Sequence, residues 1–288
     1  MSRIVYYLIL YPLSLLPLPI LYFISSGLFY VFYFLLGYRK KVIQENIDLV
    51  FKEMSFAERK DMARTFYRHL CDLIVEGIKG FNLSNGEIEK RYVIKGFECT
   101  IKDAGKDIIL VTGHSGNWEW AAFAFPLVMK HRCGVIYTPL SDAFLNQKMA
   151  SSRSRNGYDL IRKDEVKQYF AANLDQSRAV FFLSDQSPSN PKNAYWTSFL
   201  GIDTAVQYGI EKYAMEWNAP IYYIDVKKIK RGYYELKVEP LMDDASTSGY
   251  GEVVEKVTRR IEKSIYEQPE FWLWSHRRWK HKRVQSGE

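Results

Sequence analysis

From Ile4 to Tyr38 the chain carries no charged residue, and Pro12, Pro17 and Pro19 interrupt this apolar run. About 20 apolar residues suffice to cross a bilayer, so the run is too long to read as an ordinary core helix. The prolines leave two arrangements: one span from about Pro19 to Leu36 after a short apolar lead, or a re-entrant pair of helices lying shallowly in the membrane. A cleaved signal peptide does not fit, because only Arg3 precedes the run and no small-x-small site ends it. Arg39-Lys40-Lys41 form the larger positive flank, which puts the rest of the chain on the cytoplasmic side. The expected organisation is an anchor over 1–41 and one domain over 42–288, with no internal repeat or low-complexity linker between them.

The remainder alternates between two periods. Val42 to Gly80 reads as two helices split near Ser55, where Ser55-Phe56-Ala57-Glu58 has the form of a capping box. Short apolar runs predict strands at Asp107 to Val111, Gly134 to Thr138, Ala179 to Ser184, Ile221 to Val226 and Tyr233 to Val238. Helical patterns fall near Trp118 to Phe125, Asp142 to Arg155, Val166 to Leu174, Val206 to Trp217 and Glu252 to Tyr266. The alternation predicts an α/β fold with a mostly parallel central sheet flanked by helices, behind the N-terminal hydrophobic anchoring helix or helix pair.

One strand ends in a turn that carries chemistry. Directly after Ile108-Ile109-Leu110-Val111 comes Gly113-His114-Ser115-Gly116-Asn117-Trp118-Glu119. The glycines allow tight turns, and Ser115 or Asn117 can cap the helix that follows. Glu119 falls in the first helical turn, where the macrodipole favours its charge. A carboxylate there can hold one imidazole nitrogen of His114 and leave the other free to accept a proton, the base-plus-orienter half of a hydrolase triad. A histidine near a glutamate is more often an ordinary structural pair; the strand-turn-helix setting distinguishes this one.

Charge and cysteine usage narrow the partners. A net charge of +7 with 16% aromatic residues suits a membrane surface or an acidic partner. Cys71, Cys99 and Cys133 are scattered and odd in number, without metal-ligand spacing, so the expectation is no disulfide framework, no metal and no cofactor. Charge alone suggests nucleic acid, but no known module appears and none is expected as a partner.

The His114 block resembles the glycine-histidine-x-glycine-asparagine-tryptophan-glutamate signature of the bacterial lipid A late acyltransferases, the lauroyl and myristoyl transferases of the lysophospholipid acyltransferase superfamily. Further blocks follow in the same order: Asp185-Gln186 after an apolar strand, Phe199-Leu200-Gly201, Ala219-Pro220, and Trp272-Leu273-Trp274-Ser275-His276-Arg277-Arg278-Trp279-Lys280. The anchor, with Asn46 in the helix after the basic flank, is similar too. The resemblance implies acyl transfer from an acyl thioester, usually on acyl carrier protein, to a hydroxyl of a membrane-bound glycolipid, without a metal or a covalent acyl-enzyme. It also implies an inner-membrane enzyme whose catalytic domain faces the cytoplasm.

In that reading His114 is the base and Glu119 its partner, with amides near Gly116 and Asn117, or the Asn117 side chain, as oxyanion donors. Arg153 and Arg155 match the family's arginine-x-arginine element and suit lipid phosphates. Asp185 matches the family's aspartate after the third strand, as a structural or site-organising acid. Arg277 and Arg278, with Lys280, Lys282 and Arg283, form a basic tail interleaved with Trp274 and Trp279, which suits an anionic headgroup. Two departures bear on the acceptor: Tyr137-Thr138-Pro139 lacks the cation the family often has, and Ser115 replaces an aromatic. Other lipid acceptors therefore stay open. So does a serine hydrolase built from Ser115, Asp185 and His276, although Asn117 stands where the second glycine of a nucleophile elbow would be. A non-enzymatic membrane adaptor is the remaining alternative.

Overall fold

The computed structural model describes residues 1–172 and 174–283. Nine strands occur among them: β1 (Tyr92–Lys95), β2 (Ile108–Thr112), β3 (Arg132–Tyr137), β4 (Asp159–Arg162), β5 (Arg178–Leu183), β6 (Ala194–Phe199), β7 (Ile202–Gln207), β8 (Ile221–Lys230) and β9 (Tyr233–Met242). Seven form one sheet in the order β1-β9-β8-β2-β5-β3-β4, and β6 and β7 make a separate antiparallel hairpin. Within the large sheet only the β8–β9 pair is antiparallel, so the expected mostly parallel α/β architecture is what the chain adopts.

β2 is buried at every position, as a central strand covered on both faces must be. Ile108 and Leu110 pack on one face with Trp120, Phe123 and Phe125. Ile109 and Val111 pack on the other with Ile210, Val257 and Ile261. The chain leaves β2 through a helix at Ala121–Val128 on the first face, whereas helices Val166–Ala171, Gly209–Trp217 and Glu252–Glu267 bury their apolar sides on the second.

The capping box at Ser55 forms, with Glu58 N donating to Ser55 Oγ and Ser55 N to Glu58 Oε2, and it starts a helix over Phe56–Lys79. The expected helix from Val206 begins only at Gly209, because Val206 completes the β6–β7 hairpin. The helix expected over 166–174 is described as Val166–Ala171, and residue 173 lies outside the described residues. β1, β4 and the hairpin have no counterpart among the sequence expectations. Each is short or contains polar residues that break period-two alternation.

At the N-terminus the helix breaks at Leu16, which precedes Pro17 and takes an extended ψ of 146°. A helix then runs from Leu18 and continues through a π turn to Leu35. It lies against the domain rather than apart from it. Leu18, Leu21, Ser25, Phe29 and Tyr33 are buried along one stripe, and Tyr22 and Ser25 donate to Glu76 and Asp72 of helix Phe56–Lys79. Phe23, Tyr30, Phe34, Leu35 and Leu36 project outward from the other side.

Candidate active site

Gly116 fixes the turn after β2. Its φ of +57° is left-handed, and a Cβ there would lie 2.9 Å from Val226 Cγ1, so only glycine fits. The chain then enters a short 3-10 turn, Trp118–Trp120, capped by Asn117, whose Oδ1 accepts from Trp120 N at 3.1 Å.

The partner of His114 comes from β5, the neighbour of β2. Ile108 faces Ala179 and Thr112 faces Leu183. The same register carried past both strand ends brings Asp185 opposite His114. Asp185 Oδ1 accepts from His114 Nδ1 at 2.6 Å, and Oδ2 accepts from the His114 backbone amide at 2.8 Å and from the Trp272 indole at 2.7 Å. Burial alone would raise this carboxyl, but the His114 charge, these donors and Trp272 outweigh it and hold Asp185 down at about 2. It is therefore ionised near neutrality, fixing the proton on Nδ1 and leaving Nε2 with its lone pair. Gln186 Nε2 donates to that nitrogen at 3.2 Å, and the Trp118 ring packs edge-on to the imidazole at 5.1 Å.

Glu119 was expected in Asp185's place. The 3-10 turn swings it away, and it pairs instead with Arg153 from helix Ala143–Arg153. Both members of that pair line the same cavity as His114. Asn117 takes its expected role as the cap through Oδ1, and it is buried with Nδ2 donating to Glu76 at 2.6 Å, which turns its amide toward Glu76. The Gly116 amide is taken by Phe271 O.

Glu76 anchors this second network. It accepts from Asn117, Tyr22 and Tyr234, while complete burial lifts its carboxyl to about 7 against the pull of the two tyrosine hydroxyls.

The C-terminal segment holds the loop in place. Ser115 and Trp272 form an antiparallel bridge, and Leu273 N donates to His114 O. Asn46 Nδ2 donates to Trp274 O and His276 O, and Arg39 to Ser275 O. Trp274 and Arg278 are consequently buried rather than turned to a headgroup; Arg278 donates to Ala205 O and lies 5.0 Å from the Phe199 ring. Among the described residues of the tail, Arg277, Lys280, Lys282 and Arg283 keep the expected outward placement. Arg155 sits outside the His114 cavity, in a groove with Arg3 and Lys148, and donates to Gly80 O.

The hydrolase triad does not assemble. Asp185 is bonded to His114, and His276 Nε2 accepts from the Ser187 amide at 3.1 Å, its pKa pushed down to about 4 by burial first.

His114 opens onto a cavity of about 590 Å³. The cavity enters the sheet itself. β3 and β5 pair only as far as Val135 and Phe181, although β3 continues to Tyr137 and β5 to Leu183. Past that point the strand ends part, and apolar residues of both sheet faces line the space: Phe125 and Tyr158 from one, Val166 and Ile210 from the other. An imidazole at the mouth of an apolar, strand-end cavity is where an open α/β sheet places ligand chemistry.

The model of the family described as bacterial lipid A biosynthesis acyltransferase matches residues 2–281. The chain belongs to the bacterial lipid A biosynthesis acyltransferase family. Among similar proteins, the lipid A biosynthesis palmitoleoyltransferase of Escherichia coli (strain K12) is 23% identical, over 92% of this chain and 86% of that protein. The lipid A biosynthesis acyltransferase of Haemophilus influenzae (strain ATCC 51907 / DSM 11121 / KW20 / Rd) is 24% identical over the same shares. The lipid A biosynthesis lauroyltransferase of Escherichia coli (strain K12) is 23% identical, over 92% and 87%. An acyltransferase is thus the enzyme class of this family member, and the resemblance read from the motif blocks holds along nearly the whole chain.

Proposed function

We propose that this acyltransferase moves a fatty acyl chain from a thioester on acyl carrier protein to a hydroxyl of a lipid A precursor or a related membrane glycolipid, with His114 as general base. The observation that carries the reading is the His114 imidazole, clamped at Nδ1 by Asp185 and presenting Nε2 at the mouth of an apolar cavity. The acceptor hydroxyl displaces Gln186 from Nε2, gives its proton to that nitrogen and attacks the thioester carbonyl. Asp185 stabilises the imidazolium that forms. The tetrahedral intermediate expels the thiolate, which takes the proton back, leaving an ester and a free thiol. The Gln186 amide, released from Nε2, is positioned to donate to the developing oxyanion; one such donor is worth roughly 10²–10³ in rate.

The acyl chain occupies the fork between β3 and β5. The Glu119–Arg153 pair stands on the cavity wall, where the guanidinium suits a phosphate of the acceptor. Phe23, Tyr30, Phe34, Leu35 and Leu36 enter the inner membrane from its cytoplasmic side, with the helix lying along the surface because its other side is bonded to the domain.

Membranes carrying wild type or His114→Ala, supplied with acyl-carrier-protein thioester and a tetra-acylated lipid A precursor, test this. A product heavier by one acyl group that requires His114 is expected. Loss of that product with acylation of another lipid hydroxyl would overturn the acceptor; undiminished product from His114→Ala would overturn the base.

A further inference from the structure

A second cavity, of about 560 Å³, lies apart from the first, between helix Leu18–Tyr30, helix Phe56–Lys79 and the β8–β9 turn. Arg68, Lys228, Lys230 and Arg231 line it, with Asp72 as the one carboxylate among its described lining residues. Asp72 is shared: Arg231 holds one oxygen at 2.6 Å and Lys228 approaches the other at 3.5 Å. Arg68 lies over the Phe29 ring at 5.1 Å and Lys230 over Tyr233 at 4.3 Å, so neither positive charge is neutralised by the acid. His69 adds no acid or charge. Burial first, then Lys228, keeps its imidazole neutral, with Nδ1 accepting from Lys228 Nζ at 3.1 Å.

The hydroxyls of Ser26 and Thr65 line the same space. At its rim the apolar Tyr30 and Ile229, each about 60% exposed, stand beside the exposed Arg68, Lys230 and Arg231, and Phe34 stacks on Tyr30. Cations and hydroxyls set beside bare apolar side chains match an amphiphile whose head is a phosphate. A soluble anion would leave the apolar rim in water.

From this juxtaposition we propose that the pocket of Arg68, Lys228, Lys230 and Arg231 binds the phosphate headgroup of an anionic bilayer phospholipid, at a site separate from the acyl-transfer cavity.

The back wall of the pocket meets the catalytic loop. His69 Nε2 donates to Gly116 O at 3.2 Å, two residues from His114. A headgroup seated here sets the height of the loop relative to the phosphate plane of the membrane, so the acyl-transfer cavity opens at a defined depth. This site stands on its own charges and rim, and binding is read without the reaction, so its failure is distinct from failure of the acyl-transfer reading.

The full chain is partitioned onto vesicles of phosphatidylcholine alone and onto vesicles with about one third phosphatidylglycerol. Wild type should prefer the anionic vesicles. Arg68→Gln with Lys230→Gln should cut that preference roughly tenfold while leaving partition onto phosphatidylcholine unchanged, since each cation near an anionic surface contributes modestly. Lys90→Gln with Lys263→Gln, two exposed cations elsewhere, is the control and should hold the preference within about twofold. An unchanged preference in the pocket variant, or an equal loss in the control, overturns the site. Abolition of the preference by inorganic phosphate at constant ionic strength overturns the lipid assignment in favour of a free-phosphate site.

Discussion

The His114–Asp185 and Arg153–Glu119 pairs reach one cavity by different routes, and the routes set what each can do. His114 and Asp185 sit past the ends of adjacent parallel strands, their side chains 15% and 1% exposed. Arg153 and Glu119 come from a helix end and a 3-10 turn, at 17% and 35%. Sheet register brings the first pair together, and three donors satisfy its carboxylate. The second pair is partly open to solvent, at Glu119 more than at Arg153, so water reaches it and it can yield to a substrate charge. One is built to hold a tautomer, the other to exchange partners.

The sharpest way to break that contrast is to remove each member of the first pair. His114→Ala should lower kcat by roughly 10²–10⁴, the usual worth of a positioned general base. Asp185→Asn should fall in the same range, because an amide cannot hold the proton on Nδ1 or stabilise the imidazolium, and it should distort the acid limb of the pH–rate profile. Retention of more than about a tenth of wild-type kcat by Asp185→Asn would shift the orienting role away from β5.

Trp272→Phe probes the same carboxylate from the tail. The ring keeps its packing but Asp185 loses the indole donor, and a hydrogen bond to a charged group is worth about 1.5–3 kcal/mol. Denaturant melts in detergent should show a loss of that size, with kcat falling alongside. A stability loss with kcat intact would make the tail a structural brace only.

Acid titration separates the pairs further. Asp185 is held below the ordinary carboxylate value, at about 2. Its contribution to stability is therefore complete above about pH 4 and is lost as pH falls toward 2, on the order of 2 kcal/mol in all. Asp185→Asn should flatten the stability slope across that window, and a slope equal to wild type would contradict the coupling. Glu76 runs the other way. Its carboxyl is raised to about 7, so its ionisation weakens the fold progressively from about pH 4.5 to 7, and Glu76→Gln should gain most at the alkaline end.

What the sequence made legible follows from which interactions are local. The capping box at Ser55 and Glu58, the strand at β2 and the glycine turn at Gly116 rest on neighbours within a few residues, and all three were readable. The partner of His114 was not, because β5 adjoins β2 only through a crossover that skips β3 and β4. An aspartate two residues past one apolar run and a histidine three past another were both visible. Their meeting depends on strand order, which local pattern does not encode. Glu119 looked right by spacing on a regular helix, and the 3-10 turn, tighter than that, carried it to Arg153. The tail tryptophans misled for a related reason: basic residues interleaved with aromatics suit a membrane, but Asn46 and Arg39 draw that segment inward from a distant helix.

The smallest effect discriminates best between the two pairs. Glu119→Gln and Arg153→Gln should each reduce activity by less than about tenfold, through KM for the acceptor more than through kcat, since neither group touches His114 among the described contacts. A double-mutant cycle for stability should return a coupling of only about 0.2–1 kcal/mol, as expected of an ion pair that water reaches on the Glu119 side. The pH–rate profile of Glu119→Gln should overlay wild type. If Glu119→Gln instead shifted that profile and cost as much kcat as Asp185→Asn, Glu119 would have to reach the imidazole during turnover. The 3-10 turn that now holds it on Arg153 would then be a moving part of the catalytic cycle rather than a fixed wall of the cavity.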